Sequence, residues 1–206
     1  MKKIGIFGGS FDPIHYGHLG LAADAMKQVE LTKVMFVPAK LQPFKLDKKM
    51  ASGPDRLVML NLALADHENF QASSFELDSE GISYTYLTLR YMQRKFGEGA
   101  RLYFITGTDT FLKIEAWKEA EEMLTRYSFI IGTRPGFKKE ELDACIKRVS
   151  DDYNTQVVTI HNTELDISST EIRKSLKKGD KSTMPIPGKV GRYIKTHGLY
   201  RTDQQD

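Results

Sequence analysis

Short apolar segments alternate with longer amphipathic segments along this sequence, and this alternation is the feature that most limits its possible folds. Runs such as KIGIF at 3–7 and RLYFIT at 101–106 have the length and composition of buried strands. Alternating strands and helices favour parallel strands joined by right-handed crossovers. We therefore expect an α/β fold with a Rossmann-like doubly wound parallel sheet. The predicted strands are 3–7, 33–37, 70–77, 101–106, 128–132 and 156–160, and the predicted helices are 18–30, 55–66, 84–96, 116–126, 138–150, 168–177 and 189–196.

Composition narrows the class of protein. The 206 residues, 40% hydrophobic and 28% charged, suit a single domain with a small C-terminal helical portion at about 165–200 and a polar tail at 202–206. A net charge of +3 gives no reason to expect nucleic acid or a membrane surface as a partner. Cys145 is the single cysteine, and no segment approaches the roughly 20 apolar residues of a membrane span. We expect a cytoplasmic protein, and a homo-oligomer is compatible with the sequence.

The segment GGSFDPIHYGH at 8–18 follows the first predicted strand and is rich in groups that bind anions. Gly8 and Gly9 would let the backbone turn tightly and approach a ligand closely. A helix is expected to begin inside the segment, and its first N–H groups suit phosphate. His15 and His18 are three residues apart, so both can face the same point. The segment predicts a phosphate clamp made of loop amides and two imidazoles.

Other interpretations of this segment fit its spacing less well. Gly5, Gly8 and Gly9 do not have the G-x-G-x-x-G spacing of a dinucleotide loop, and no G-K-[ST] follows as in a Walker A loop. Two histidines could bind zinc, but the spacing indicates no third ligand. A capped turn with incidental histidines remains open.

A second anion-binding segment is predicted at 167–173, which reads ISSTEIR. Ser168 or Ser169 can cap a helix whose free N–H groups would again suit an anion. Arg173 lies about one turn further and can offer a bidentate guanidinium to phosphate. Plain helix capping with a surface arginine is the alternative.

Two further sets of candidates follow predicted strands. The long basic loop 38–54 carries Lys40 and Lys45, which could close over phosphates or could simply be solvated. Asp109 follows Gly107 at the end of a strand, where its carboxylate could bind ribose hydroxyls or could cap a helix at 110–114.

Two motifs carry a family resemblance. His15-Tyr16-Gly17-His18 resembles the first signature of the nucleotidyltransferase superfamily, and ISSTEIR, about 150 positions later, resembles its second. Within that superfamily the sequence is most similar to the bacterial nicotinate-nucleotide adenylyltransferases. The supporting features are RLVML at 56–60, GISYTY at 81–86, GTD at 107–109, the tryptophan at 117, TRPG at 133–136 and HGLY at 197–200.

The resemblance implies transfer of the adenylyl group of ATP to nicotinate mononucleotide, giving deamido-NAD and pyrophosphate in NAD biosynthesis. It implies Mg²⁺ with ATP and no dedicated metal ligands. The implied catalytic residues are His15, His18 and Arg173. The implied ATP-binding residues are Gly8, Gly9, Ser10, Phe11, Lys45, Gly107, Asp109, Arg134, Ile167, Ser168, Ser169 and Thr170. The implied mononucleotide-binding residues are Ser83, Tyr84 and Thr85, whose backbone amides would receive the nicotinate carboxylate, and Trp117, which would stack on the pyridine ring or otherwise pack in the core.

The sequence departs from the family pattern at two positions. Phe44 stands where relatives commonly have histidine, and Leu87 stands where many have aspartate. A related adenylyltransferase acting on nicotinamide mononucleotide or phosphopantetheine is therefore an alternative. A module that binds nucleotide without catalysis is a less favoured one.

Overall fold

Six parallel strands form one sheet at the centre of the molecule. The computed structural model describes residues 1–41, 50–133, 139–161, 167–178 and 184–201. The strands are β1 (Lys3–Gly9), β2 (Lys33–Pro38), β3 (Phe70–Ala72), β4 (Arg101–Gly107), β5 (Ser128–Thr133) and β6 (Val157–His161). Their order across the sheet is β3-β2-β1-β4-β5-β6, and every neighbouring pair is parallel. This order confirms the predicted doubly wound α/β fold.

Helices connect the strands and cover both faces of the sheet. They are α1 (Tyr16–Val29), α2 (Gly53–Leu64), α3 (Phe75–Asp78), α4 (Thr85–Phe96), α5 (Thr108–Phe111), α6 (Ala120–Arg126), α7 (Lys139–Tyr153), α8 (Ser169–Lys177) and α9 (Gly188–Thr196), with a 3₁₀ turn at Ile114–Ala116. None of the helices in the described ranges is long and apolar enough to cross a membrane.

The sheet separates two apolar layers. Successive strand residues point to opposite faces, so in β1 the side chains of Ile4 and Ile6 join one layer and Phe7 joins the other. The Phe7 layer is completed by α1, α2, α8 and α9, and the Ile4 layer by α4, α5, α6 and α7. Burial on both faces explains why the strands read as continuous apolar runs rather than as alternating ones.

The C-terminal helices pack on the Phe7 layer. Val190 and Ile194 of α9 are buried in the same cluster as the sheet residues of that layer. Lys189 forms an ion pair with Asp66, with 2.9 Å between Nζ and a carboxylate oxygen, and the Tyr193 hydroxyl donates to Asp55 at 2.9 Å. Treatment of 165–200 as a distinct helical portion of the domain stays a prediction, and the tail 202–206 lies outside the described residues.

Two predicted elements were partly wrong. The expected strand 70–77 ends at Ala72, and the helical turn α3 follows it, with Ser74 as the N-cap residue whose hydroxyl donates to the Asp78 carboxylate at 2.6 Å. The expected helix 116–126 begins only at Ala120, because Trp117 has extended backbone angles (φ −79°, ψ 152°) between the 3₁₀ turn and α6.

Candidate active site

The chain reverses its direction of travel across the sheet between β1 and β4. From β1 it proceeds to β2 and β3 on one side, then returns to β4 and proceeds to β6 on the other. Open α/β sheets bind ligands in the crevice at the carboxyl ends of the strands at such a point. The loop after β1 and the segment after β4 therefore border the expected crevice.

The two histidines of the first motif form one unit at the start of α1. Their imidazole rings stack with centroids 3.7 Å apart and an interplanar angle of 28°. His15 is the N-cap residue of α1, but its side chain makes no capping hydrogen bond to the helix. The His18 ring contacts the edge of Phe11, with centroids 5.1 Å apart. Spacing by three residues thus brings both imidazoles to one place beside the first turn of a helix.

Gly8 and Gly9 belong to β1, where they pair with Val37 and Pro38, so the expected tight turn at these glycines was wrong. The left-handed backbone falls instead at Phe11, with φ 47°. The glycines provide space: a Cβ on Gly8 would lie 3.2 Å from the Phe104 ring, and one on Gly9 would lie 3.1 Å from the Phe11 ring. Glycine here allows aromatic rings to pack directly against the strand that leads into the loop.

The second motif meets the first. Ser168 caps α8 by accepting a hydrogen bond from the Thr170 amide at 3.2 Å, as the sequence indicates. The Ser169 hydroxyl donates to the Pro13 carbonyl at 3.2 Å. A Cβ added to Gly17 would lie 3.6 Å from the Ile167 Cβ, which places the start of the second motif against α1.

Arg173 reaches the loop after β1. Its Nη1 donates to the backbone carbonyl of Asp12 at 2.6 Å and lies 3.5 Å from the Asp12 carboxylate, and its Nη2 donates to Thr170 at 3.3 Å. The guanidinium and the paired imidazoles therefore lie on neighbouring segments at the loop after β1, although about 150 residues separate them in the sequence.

The Ser83–Thr85 segment borders the other side of the crevice. The Ser83 amide donates to the Leu41 carbonyl at 2.9 Å, and its hydroxyl accepts from the Lys40 amide at 2.9 Å. The Ala39 amide in turn donates to the carbonyl of Gly9 at 2.9 Å. These bonds tie the start of α4 to the carboxyl end of β2, next to β1. The Lys40 ammonium donates to the Ser79 carbonyl at 2.7 Å, so it lies on this side rather than beside Arg173.

Trp117 connects the same region to β1. Its half-buried ring packs edge-on against Phe104, with centroids 6.0 Å apart, and Phe104 is the ring that covers Gly8. The Lys118 ammonium lies 4.8 Å from the centroid of the Tyr84 ring. The tryptophan and the start of α4 are thus close to each other and to the end of the central strand.

The remaining candidates are less well placed or lie outside the described residues. Gly107 ends β4 and is the N-cap of α5, while Asp109 is exposed in the first turn of that helix, so the alternative in which Asp109 caps a helix was wrong. Lys45, Arg134 and the departure at Phe44 lie outside the described residues. Leu87 is 41% exposed on α4.

Comparison with known proteins identifies the family. A family model for cytidylyltransferase-like proteins matches residues 6–175. The chain is 37% identical over 204 residues to a probable nicotinate-nucleotide adenylyltransferase of Thermoanaerobacter sp. (strain X514), covering 99% of this chain and 97% of that one. It is 39% identical over 199 residues to the protein of the same name from Moorella thermoacetica, covering 97% and 92%. This chain belongs to the nicotinate-nucleotide adenylyltransferase family.

Solved structures agree on the fold. Nicotinic acid mononucleotide adenylyltransferase of Plasmodium falciparum, complexed with APC, superposes with a TM-score of 0.78 at 23% identity, covering 97% of this chain and 98% of that one. The same enzyme complexed with NaAD gives a TM-score of 0.76 at 24% identity, with the same coverage. Membership of the nicotinate-nucleotide adenylyltransferase family confirms the resemblance seen in the sequence.

Sequence reasoning missed a buried polar network under the first motif of this adenylyltransferase family member. Asp12 and Arg56 are 1% and 2% exposed, and the Tyr200 hydroxyl donates to Asp12 at 2.6 Å. Arg56 could have been found, because it interrupts the apolar face that α2 buries through Met59 and Leu60. A charged residue on such a face indicates a specific partner.

Proposed function

We propose that this chain transfers the adenylyl group of ATP to nicotinate mononucleotide, giving deamido-NAD and pyrophosphate in NAD biosynthesis. The observation that carries the proposal is the meeting of the α1 and α8 starts at the loop after β1. Two stacked imidazoles and a guanidinium at paired helix N-termini suit a triphosphate. Membership of the family, over nearly the full length of its named relatives, supports the choice of reaction.

On the ATP side, we assign His18 to the α-phosphate and to the charge that develops during transfer. His15 would hold the phosphates together with amides of the loop that Gly8, Gly9, Ser10 and Phe11 lead into. Arg173 and the amides at the start of α8 would hold the β- and γ-phosphates. Ile167, Gly107 and Asp109 would border the adenosine, with the exposed Asp109 carboxylate available to ribose hydroxyls. Roles for Lys45 and Arg134 stay predictions.

On the mononucleotide side, we assign Trp117 to stacking on the pyridine ring. The Ser83–Thr85 backbone at the start of α4 would receive the carboxylate of that ring. Contacts between Lys118 and Tyr84, and between Trp117 and Phe104, support this assignment because they bring both elements to the end of β1.

The chemistry needs positioning more than proton transfer. The mononucleotide phosphate is already an anion, so it can attack the α-phosphorus of ATP in line without a general base. A new bond forms between that phosphate oxygen and the α-phosphorus, and the bond from the α-phosphorus to the bridging oxygen breaks and releases pyrophosphate. No covalent intermediate with the protein is required. Catalysis then comes from alignment of the two phosphates and from donors aimed at the developing charge.

Magnesium would enter with ATP. Within the described ranges, no three His, Cys, Asp or Glu side chains are grouped to hold a metal, and the carboxylate in the loop after β1, Asp12, accepts from Tyr200 and is paired with Arg173. Phosphate oxygens and water are therefore the ligands we propose for Mg²⁺, which would neutralise part of the triphosphate charge.

We also propose a cytoplasmic reaction, since ATP is available there and the single cysteine fits a reducing compartment. A homo-oligomer stays a prediction.

A substrate panel tests the proposed function. Pyrophosphate release is measured with ATP and, in turn, nicotinate mononucleotide, nicotinamide mononucleotide and phosphopantetheine. We expect the highest kcat/KM with nicotinate mononucleotide and formation of deamido-NAD. Preference for another acceptor would assign a related adenylyltransferase, and ATP binding without release from any acceptor would assign a binding module.

A further inference from the structure

Tyr200 connects the C-terminal segment to the phosphate clamp. Its hydroxyl donates to Asp12 Oδ1 at 2.6 Å, across 188 residues of sequence. The Tyr200 backbone has φ 63°, a left-handed conformation that is unfavourable for a bulky side chain. Surrounding contacts must therefore hold the residue in this conformation, and the bond to Asp12 is one of them.

Asp12 also contacts two other segments, those of Ala51 and Arg173. The Oδ1 atom that Tyr200 contacts also accepts from the Ala51 amide at 3.0 Å, and Oδ2 lies 3.5 Å from Arg173 Nη1. The Asp12 carbonyl accepts the short 2.6 Å bond from the same guanidinium nitrogen. Rotation of the Asp12 carboxylate would therefore disturb the environment of Arg173.

Arg56 joins the network through two backbone carbonyls. Its Nη1 donates to the Ser10 carbonyl at 2.8 Å, and its Nε donates to the Ala51 carbonyl at 3.1 Å. Burial lowers the pKa of the Arg56 guanidinium, and the nearby Asp12 carboxylate opposes that shift. Two guanidinium groups around one carboxylate leave an excess of positive charge next to the loop that meets phosphate, as recognition of an anion requires.

We propose that Tyr200 is a positioning residue for ATP: through Asp12 it holds the Arg173 guanidinium in the orientation that receives the phosphates. The inference rests on the proposed function. Burial and the Asp12 charge raise the pKa of the Tyr200 hydroxyl well above its usual range, so it stays a hydrogen-bond donor across the working pH range. Tyr200 lies outside residues 6–175, the span that the family model matches.

The chain supplies a matched control. Tyr193 also donates its hydroxyl to an aspartate, Asp55, at 2.9 Å, and it also lies on the C-terminal segment. Tyr193→Phe and Tyr200→Phe each remove one tyrosine–aspartate hydrogen bond and keep the ring. If both bonds only attach the C-terminal segment, both variants should behave alike in every assay.

We expect Tyr200→Phe to lower kcat/KM for ATP about tenfold, because the variant loses the hydrogen bond that orients the Asp12 carboxylate beside Arg173. Its KM for nicotinate mononucleotide should stay within about twofold of wild type, and Tyr193→Phe should leave both constants unchanged. The double variant Tyr200→Phe/Asp12→Asn should be no weaker than Asp12→Asn alone, because Tyr200 acts through Asp12. Melting temperatures of the single variants show whether any loss reflects folding.

Equal effects of the two phenylalanine variants on ATP kinetics would overturn the proposal, as would additive effects in the double variant. Calorimetric Kd values for a nonhydrolysable ATP analogue measure ATP binding in each variant without requiring catalysis. If wild type releases no pyrophosphate with any mononucleotide, the proposed function fails. A weaker Kd for the analogue in Tyr200→Phe, and not in Tyr193→Phe, would in that case still support the positioning role.

Discussion

Two buried carboxylates flank the candidate site, and they are stabilised in different ways. Asp12, on the phosphate side, lies beside the Arg173 guanidinium and accepts from the Tyr200 hydroxyl. Glu76, on the mononucleotide side, accepts from the Thr88 hydroxyl at 2.5 Å, and the nearby Ser83 hydroxyl helps to lower its pKa. The side proposed to meet a triphosphate is thus built on charged pairs, and the side proposed to meet a pyridine nucleotide is built on hydroxyl donors.

This difference has an electrostatic consequence. A buried carboxylate beside cations contributes a fixed charge pattern, and removal of its charge leaves those cations uncompensated. Burial raises the pKa of Glu76, and the Thr88 and Ser83 hydroxyls only partly oppose that shift. Phosphate recognition should therefore fail sharply when a charged group is removed, while changes on the mononucleotide side should alter stability or substrate preference.

The largest effect is expected at His18. His18→Ala should lower kcat by about 10²–10⁴, the range for loss of a key electrostatic donor in a transition state, while the fold survives. Pyrophosphate release gives kcat, and circular dichroism checks the fold. A near wild-type kcat in this variant would show that His18 does not stabilise the transition state.

Neutralising each carboxylate compares the two sides directly. Asp12→Asn should lower kcat/KM for ATP by about 100-fold, because it removes one partner of a buried charged network. Glu76→Gln keeps shape and hydrogen-bonding capacity and should change the same constant by less than about threefold. Initial rates at varied ATP, with melting temperatures as the folding control, measure both. Similar losses of kcat/KM for ATP in Asp12→Asn and Glu76→Gln would show that pairing with cations does not set the two carboxylates apart in function.

The local parts of this arrangement are the ones that sequence could predict. The spacing of His15 and His18 predicts that the rings meet, and the serine pair before Thr170 predicts the cap that Ser168 provides. Both depend on residues within a few positions of each other, where helix geometry fixes the outcome. Strand–helix alternation likewise predicts the sheet, because burial on both faces imposes it.

The long-range parts could not be predicted. Asp12 has its partners at Ala51, Arg173 and Tyr200, and no local pattern pairs these positions. The turn expected at the glycine pair instead lies at Phe11. The strand continues through both glycines, where the absence of a side chain leaves room for the Phe104 and Phe11 rings. Such outcomes follow from tertiary packing, which composition and periodicity do not encode.

Stability against pH tests the character of Glu76. Its pKa is raised in the folded protein, so the folded state holds this proton at pH values where the unfolded state has lost it. The free energy of unfolding should therefore fall as pH rises from the ordinary glutamate range through the raised pKa. Glu76→Gln cannot lose a proton and should gain stability relative to wild type over that window. Melting temperatures of both proteins between about pH 4 and 8 measure the difference. A constant difference across that range would mean that Glu76 keeps an ordinary pKa.

A modest effect on the choice of acceptor is expected at Lys118, where the mononucleotide side has an exposed cation. The Lys118 ammonium lies 4.8 Å from the Tyr84 ring centroid and 6.0 Å from that of Tyr86, next to the backbone proposed to bind the pyridine carboxylate. An exposed charge acts weakly through water, so Lys118→Met should lower the ratio of kcat/KM for nicotinate over nicotinamide mononucleotide only about fivefold, and less at high salt.

Lys118→Arg keeps the charge and the contact with the rings, so it should preserve that ratio. Lys113→Met removes a positive charge from an exposed position five residues earlier and should also leave the ratio unchanged. If the ratio falls equally in the two methionine variants, the preference for the carboxylate comes from the overall positive charge of this surface and not from the Lys118 ammonium in particular. A ratio that does not change in Lys118→Met would mean that discrimination between the two pyridines depends entirely on the backbone at the start of α4.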